Sequence, residues 1–385
     1  MNVLAPIVAC EGTEYGWRGL TAKGELLEVH NGSLPTGEVL VTRNGEVVGT
    51  REVMPSGFDL SAYLWHTKRA VDLYQLNRSP EALHEIEMAL AVRDTAQARL
   101  NRSIILLSLG RWREGFAAHE ARFEMYMTPR HTAVADRIPR WFGGSDISGK
   151  RLMLVHDAGL GDSIMCARYI PLLQEAGAEV LLNVPQSLTR FLGQLAPAVD
   201  EDVGADLFCP LYSLPLTLRQ DMETIPTEPY LKPDPGLLGK WRARLDPTVH
   251  KIGIAWNVGA IIEGDYPREA PLELFVERLA PRGRLYSIQA QGHGEALAHG
   301  VTAYPFEDFA DCAAFVSLLD EIITIDTAAL HVAGAIGHPR VTVLLSHWAS
   351  WRFLGNRFYP TMQLCYQTEP GDWSSAFEQI GDSHD

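Results

Sequence analysis

The sequence predicts an α/β protein with two parallel-sheet halves, preceded by a small β-rich module and a short run of helical repeats. Three observations lead there. Arg151–Ile170 (RLMLVHDAGLGDSIMCARYI) reads as a buried strand that breaks through two glycines into a helix, and Leu318–Ala335 repeats that strand–turn–helix order. From Arg151 onward strand-like runs alternate with helical ones, as parallel strands with covering helices require. A chain of 385 residues exceeds one ordinary core, so both halves and an additional module fit within it.

Residues 1–57 carry short β-type runs, Glu25–His30 and Glu38–Thr42, punctuated by Asn31-Gly32 and Asn44-Gly45. Such dipeptides favour tight hairpins, and Val39–Arg43 and Glu46–Thr50 flank the second one symmetrically, so a small β-meander is expected. A packing role and a docking role both suit it. Over residues 58–127 the period becomes helical, and Leu73–Leu90 matches Leu106–Phe123 at an offset of 33 residues, close to a tetratricopeptide period. Leu76 pairs with Leu109, Asn77 with Gly110 and Glu81 with Glu114. Two such units serve either as a partner-binding groove or as a structural bracket.

Residues 128–150, with Pro129, Pro139, Gly143, Gly144 and Gly149, read as a linker. Residues 151–235 form the first α/β half, with strands at Leu152–His156, Val180–Val184 and Leu207–Cys209 and helices at Ser163–Ala176 and Ser187–Leu195. Residues 236–385 form the second, with strands at Ile252–Trp256, Arg284–Gln289, Glu321–Ile325 and Val341–Leu345.

Ligands of open α/β sheets bind outside the carboxyl ends of the strands. The motifs that occupy such ends are Gly159–Asp162, Trp256–Asn257, Gln289, Asp326–Thr327 and Ser346–Trp348. Gly159 and Gly161 tolerate positive φ, and the turn they make aims free N–H groups at an anion. No Gly-Lys-Ser/Thr follows, and Ile164 replaces the third glycine of a dinucleotide fingerprint, which excludes a P-loop and an ordinary NAD site. Asp162 stands where an N-cap would, so capping and acid–base chemistry both suit it. Asp326 and Thr327 both have capping side chains, and the small Ala328 and Ala329 leave the helix start open to a phosphate. His331, four residues after Thr327, shares its helix face, either as a packing residue or as a phosphate ligand.

Several ordered motifs together resemble a family. G-L-G-D-S-I followed by R-Y-I-P-L-L, C-P-L-Y-S-L-P-L at Cys209–Leu216, I-G-I-A-W at Ile252–Trp256 and I-D-T-A-A-L-H-V-A-G-A at Ile325–Ala335 resemble bacterial glycosyltransferases that follow tetratricopeptide repeats. These are similar to the family 9 heptosyltransferases and more distantly to the O-GlcNAc transferases. Trp141-Phe142-Gly143-Gly144 is similar to the family's aromatic lead-in. The resemblance covers Ile138 to the C-terminus and implies a GT-B fold with two Rossmann-like domains. It implies a nucleoside-diphosphate sugar as donor substrate, UDP-linked as the expected form, bound by Gly159, Gly161, Trp256, Asn257, Arg268, Gln289, Asp326, Thr327 and His331. Asp162 is the candidate base, and no further cofactor is implied.

Arg268 lies where the family carries an arginine followed by serine, with Glu269 here in the serine's place; it is either a diphosphate ligand or a solvated surface residue. The segment Val258–Tyr266 departs from the family's basic run, which keeps a scaffold with a lost donor site among the readings. The others are transfer to a protein and transfer to a glycan or lipopolysaccharide core. Asp200-Glu201-Asp202 has the D-x-D spacing of metal-using transferases but sits in an acidic loop, and the expected reaction needs no metal.

Composition agrees. Thirty-three basic residues against 48 acidic ones leave a net charge of −15, which disfavours a broad nucleic-acid-binding face. Cys10, Cys166, Cys209, Cys312 and Cys365 show no zinc or disulfide spacing, and a reducing cytoplasm is expected. No apolar run approaches the roughly 20 residues of a membrane span.

Overall fold

The computed structural model describes residues 7–13, 16–21, 26–30, 38–43, 46–52, 60–199, 204–258, 268–347 and 350–381, with side chains from Ser61 onward. These form two compact units, one running to Ala98 and one from Arg99 onward.

The first unit opens with five antiparallel strands paired in chain order: β1 (Ile7–Thr13), β2 (Gly16–Thr21), β3 (Leu26–His30), β4 (Glu38–Arg43) and β5 (Glu46–Glu52). Arg43 opposes Glu46, the register of a two-residue turn. The Asn-Gly dipeptides at 31–32 and 44–45 themselves lie outside the described residues.

Helices α1 (Leu60–Gln75) and α2 (Ser79–Val92) follow as a hairpin, and α3 (Ala96–Ser108) with α4 (Trp112–His119) makes a second. The internal match is visible in the backbone. Asn77 and Gly110 both take left-handed φ, 57° and 73°, in turns that only such residue types tolerate cheaply. Arg78 N–H and Arg111 N–H then donate to Leu73 and Leu106 carbonyls, each at 2.9 Å. In the second hairpin a Cβ on Gly115 would stand 2.7 Å from Leu107 Cγ, so α3 and α4 meet over a glycine; the first hairpin has the fully buried Ala82 at the matching position.

Residues 128–150 are more than a linker. They carry α6 (Pro129–Ala135), after a short α5 (Arg122–Met125), and Trp141 N–H donates to Phe208 O at 2.8 Å. Ile138, Trp141 and Ile147 are buried.

Two parallel sheets follow. The first has β6 (Arg151–Val155), β7 (Glu179–Asn183) and β8 (Leu207–Pro210) in the order β7-β6-β8. The second has β9 (Lys251–Ala255), β10 (Arg284–Ser287), β11 (Thr302–Ala303), β12 (Glu321–Ile325), β13 (Val341–Leu345) and β14 (Gln363–Tyr366). Its order, β11-β10-β9-β12-β13-β14, reverses direction between β9 and β12. That is the doubly wound topology, whose crevice lies at the switch point. Every residue of β12 and β13 is buried, as parallel strands covered on both faces must be.

The helix expected at Ser163–Ala176 is two: α7 (Leu160–Ala167) and α8 (Ile170–Glu175). Pro171 has no N–H to offer the Ala167 carbonyl, so the chain re-enters helix after Tyr169. The remaining helices are α9 (Gln186–Leu192), α10 (Leu214–Thr217), α11 (Pro235–Arg242), α12 (Leu272–Leu279), α13 (His293–Ala298), α14 (Phe309–Val316), α15 (Ala328–Ala335) and α16 (Trp373–Glu378). Among the described residues no helix is long and apolar enough to cross a membrane.

Gly143 shows how tightly the segment before β6 is held. Its φ is +85°, and an added Cβ would stand 2.3 Å from the Thr217 carbonyl oxygen. Gly143→Ala is therefore expected to lower unfolding free energy by roughly 2–4 kcal/mol in urea denaturation. A midpoint equal to wild type would show that this loop shifts freely.

Candidate functional site

The site is built where α7 and α15 begin. Gly159 is the N-cap of α7, with φ −69° and ψ 160°, and Asp162 lies in the first turn. Asp162 is thus not the N-cap that its position before Ser163 implied. It caps from within, accepting the Gly159 N–H on Oδ2 at 3.1 Å. Neither Gly159 nor Gly161 has positive φ. Gly161 is needed for space instead: a Cβ there would stand 2.8 Å from His331 Cδ2 and 3.3 Å from Ala328 Cα.

Those two atoms belong to α15. Thr327 is its N-cap, with Oγ1 accepting Ala329 N–H at 3.2 Å. Asp326 stands just before that cap; its carboxylate faces Arg268, whose Nη1 lies 3.8 Å from Oδ2 and donates to the Asp326 carbonyl at 3.2 Å. His331 is buried, and its Nδ1 is 3.0 Å from the Tyr359 hydroxyl. Burial lowers its pKa to about 4, against the opposing pull of Asp326 and Asp162. The imidazole is neutral at pH 7.

Arg352 completes the arrangement, and no sequence motif had singled it out. It follows Ser350, the cap of a 3₁₀ turn over Trp351–Asn356. Its Nε and Nη2 donate to Asp162 Oδ1 at 3.1 and 2.5 Å, Nη2 also to the Tyr212 hydroxyl at 2.8 Å, and Nη1 to Ser350 Oγ at 2.9 Å. Burial alone would raise the Asp162 pKa, but Arg352 first, with His331 and the Gly159 N–H, holds it below its ordinary value. The usable signal is position: Arg352 lies beyond the carboxyl end of β13, shortly after Ser346.

Gly159, Gly161, Asp162, Asp326, Thr327, His331 and Arg268 therefore fall around two adjoining helix starts. The β9 end differs. Gln289 Oε1 accepts Trp256 N–H at 3.0 Å and Asn257 N–H at 3.2 Å, while its Nε2 donates to Gln291 O at 3.0 Å, so this amide is committed to backbone. Trp256 Nε1 donates to Glu295 Oε2 at 3.0 Å. Trp256 and Asn257 line a cavity of about 300 Å³ with Glu269, Glu273, Glu295 and Trp373. Its carboxylates suit a neutral or hydroxylated group better than a phosphate.

Among the described residues no group of three or more His, Cys, Asp or Glu side chains is placed to hold a metal. Asp200-Glu201-Asp202 and residues 259–267 lie outside the described residues, as does Trp348.

No protein-family model matches the chain. Protein FlbA of Caulobacter vibrioides is 27% identical over 362 residues, covering 81% of this chain and 59% of its own length. The chain thus spans about three-fifths of that curated relative. Among solved structures it is similar to Escherichia coli ADP-heptose lps heptosyltransferase II, with TM-score 0.45, 13% identity, and 59% of this chain and 96% of that one covered. A glycosyl transferase family 9 protein from Veillonella parvula gives TM-score 0.42 and 11% identity over 58% of this chain and 87% of its own. A Thermobaculum terrenum O-GlcNAc transferase mutant gives TM-score 0.29 and 13% identity over 82% of each chain.

The buried imidazoles predict a pH dependence. The unfolded chain protonates His331 near pH 6.5 and the folded chain only near 4, so acidification between those values favours unfolding. The effect on stability is of the order of 3 kcal/mol. His119, lowered to about 3 chiefly by burial, acts in the same direction. Asp162 acts elsewhere: its stabilisation is lost only as pH falls below 3.8 towards its lowered folded value. Urea unfolding should show stability falling from pH 6.5 to 4, with a shallower slope in His331→Gln; parallel curves for the two proteins would contradict this.

Proposed function

We propose that this chain is a metal-independent GT-B glycosyltransferase that moves a sugar from a nucleoside-diphosphate donor, UDP-linked as the first expectation, to a macromolecular acceptor. The observation that carries the reading is the meeting of the α7 and α15 N-termini, flanked by Arg268 and Arg352, at the carboxyl ends of strands from both parallel sheets. Each helix start presents N–H groups and the positive end of a dipole, and each arginine adds a planar cation. Such a place favours the charge that develops on a departing diphosphate.

In the proposed reaction an acceptor oxygen attacks the anomeric carbon, the bond from that carbon to the phosphate oxygen breaks, and its electron pair leaves with the diphosphate. Asp162, ionised at neutral pH, takes the acceptor's proton. The α15 N-terminus and Arg268 stabilise the leaving group without a divalent ion. The cavity beside Trp256 and Asn257 supplies a neutral pocket for the nucleoside. The repeated helical hairpins support a protein acceptor, with a glycan as the alternative.

The test begins with a panel of UDP-, ADP- and GDP-linked sugars, read by thermal shift with and without EDTA. One donor class should raise the melting temperature equally in both conditions. Absence of any shift would overturn the donor reading, and a shift only with added Mg²⁺ or Mn²⁺ would overturn metal independence. With the donor identified, Asp162→Asn should keep donor affinity within a few-fold and lose roughly 10²-fold or more in turnover. A fully active Asp162→Asn protein would leave the base elsewhere.

A further inference from the structure

The helical repeat breaks its own pattern at one buried position. The offset that relates the two hairpins places Ala89, fully buried, opposite Arg122, whose side chain is 1% exposed. A small apolar residue would satisfy the packing there. A buried guanidinium is costly unless its donors are met, and an apolar replacement of similar volume is commonly as stable.

The donors of Arg122 are met by the turns beyond two neighbouring strands. Nη2 donates to Asp157 Oδ2 at 2.6 Å and to Ser213 Oγ at 2.7 Å, and Nε reaches the same Asp157 oxygen at 3.3 Å. Nη1 takes Glu120 Oε1 at 2.9 Å and the His119 carbonyl at 3.2 Å. Asp157 follows β6 and Ser213 follows β8, so one side chain ties together the two strand ends that flank the switch point of the first sheet. The second Asp157 oxygen accepts Tyr212 N–H at 3.0 Å. Tyr212 is buried, its ring held edge-on by Phe116 and His119, and its hydroxyl accepts from Arg352, which also holds Asp162.

The geometry points to Arg122 as a positioning residue for transfer. Through Asp157 and Tyr212 it fixes Arg352, and through Arg352 the carboxylate of Asp162. Helix α5, directly after the second helical hairpin, is thereby a working part of the site. This rests on the reading of Asp162 and Arg352 as transfer machinery.

Tyr212→Phe tests the link most directly, because it keeps the ring contacts and removes only the hydroxyl that Arg352 uses. Arg122→Lys tests the far end, keeping the charge and losing the fork. With the nucleotide sugar that wild type turns over, both should lower kcat about tenfold while donor KM stays within about twofold. Combining Tyr212→Phe with Arg352→Lys should be no worse than Arg352→Lys alone, since both break one link. Unchanged kcat in Tyr212→Phe, or multiplicative losses in the double variant, overturns the proposal. A readout independent of turnover is the Arg352 Nε–H proton by NMR, assigned by its loss in Arg352→Lys. Its solvent exchange should quicken at least several-fold in Tyr212→Phe and Arg122→Lys, and unchanged exchange in both overturns the positioning role. If wild type turns over no donor, the transfer reading fails, and this exchange measurement alone decides whether Arg122 holds Arg352.

Discussion

Helices α7 and α15 begin side by side because position 161 has no side chain. With a Cβ there, 2.8 Å from His331 Cδ2 and 3.3 Å from Ala328 Cα, the imidazole or the start of α15 would have to shift. The approach itself is electrostatically adverse, since two positive dipole ends face one region. The chain answers with a carboxylate at each, Asp162 in the first turn of α7 and Asp326 just before α15. Each carboxylate is in turn met by an arginine, Arg352 and Arg268. The arrangement is neutral at rest, two guanidinium groups against two carboxylates.

The same centre accounts for what is buried nearby. His331 stays neutral because it is buried, with the Arg352 and Arg168 charges acting in the same direction. Arg168 lies inside the protein with its guanidinium against the Tyr230, Phe358 and Tyr359 rings and its Nη1 donating to the Pro226 and Phe358 carbonyls at 2.8 and 2.7 Å. It thus fastens the end of α7 to the segment that carries Tyr359. Both ends of α7 are fixed to the second sheet's half, one by close contact and one by charge.

How far the sequence could be read depended on the chain distance of each partner. Strands Glu321–Ile325 and Val341–Leu345 are read to the residue, because apolar runs between turn residues carry their own boundaries. Asp326, Thr327 and His331 were legible as a strand end running into a helix. Asp162 was visible but misplaced as a cap, since nothing local shows that α7 starts at Leu160. Arg352 was missed because its partners are remote: Asp162 is 190 positions away and Tyr212 140. Strand β11, with two residues, is too short for periodicity to register, and β14 depends on pairing with β13. Arg122 was detectable in principle, as a charged residue where the repeat carries alanine.

Arrays of helical hairpins usually lengthen and shorten by duplication, each unit standing on its neighbour. The bond from Arg122 to Asp157 removes that freedom on one side. A unit gained or lost between Arg122 and β6 would pull the guanidinium away from the turns it fastens, whereas change upstream of α3 leaves those bonds intact. Changes of length are thereby felt by the turn after β6 on one side of Arg122 and not on the other.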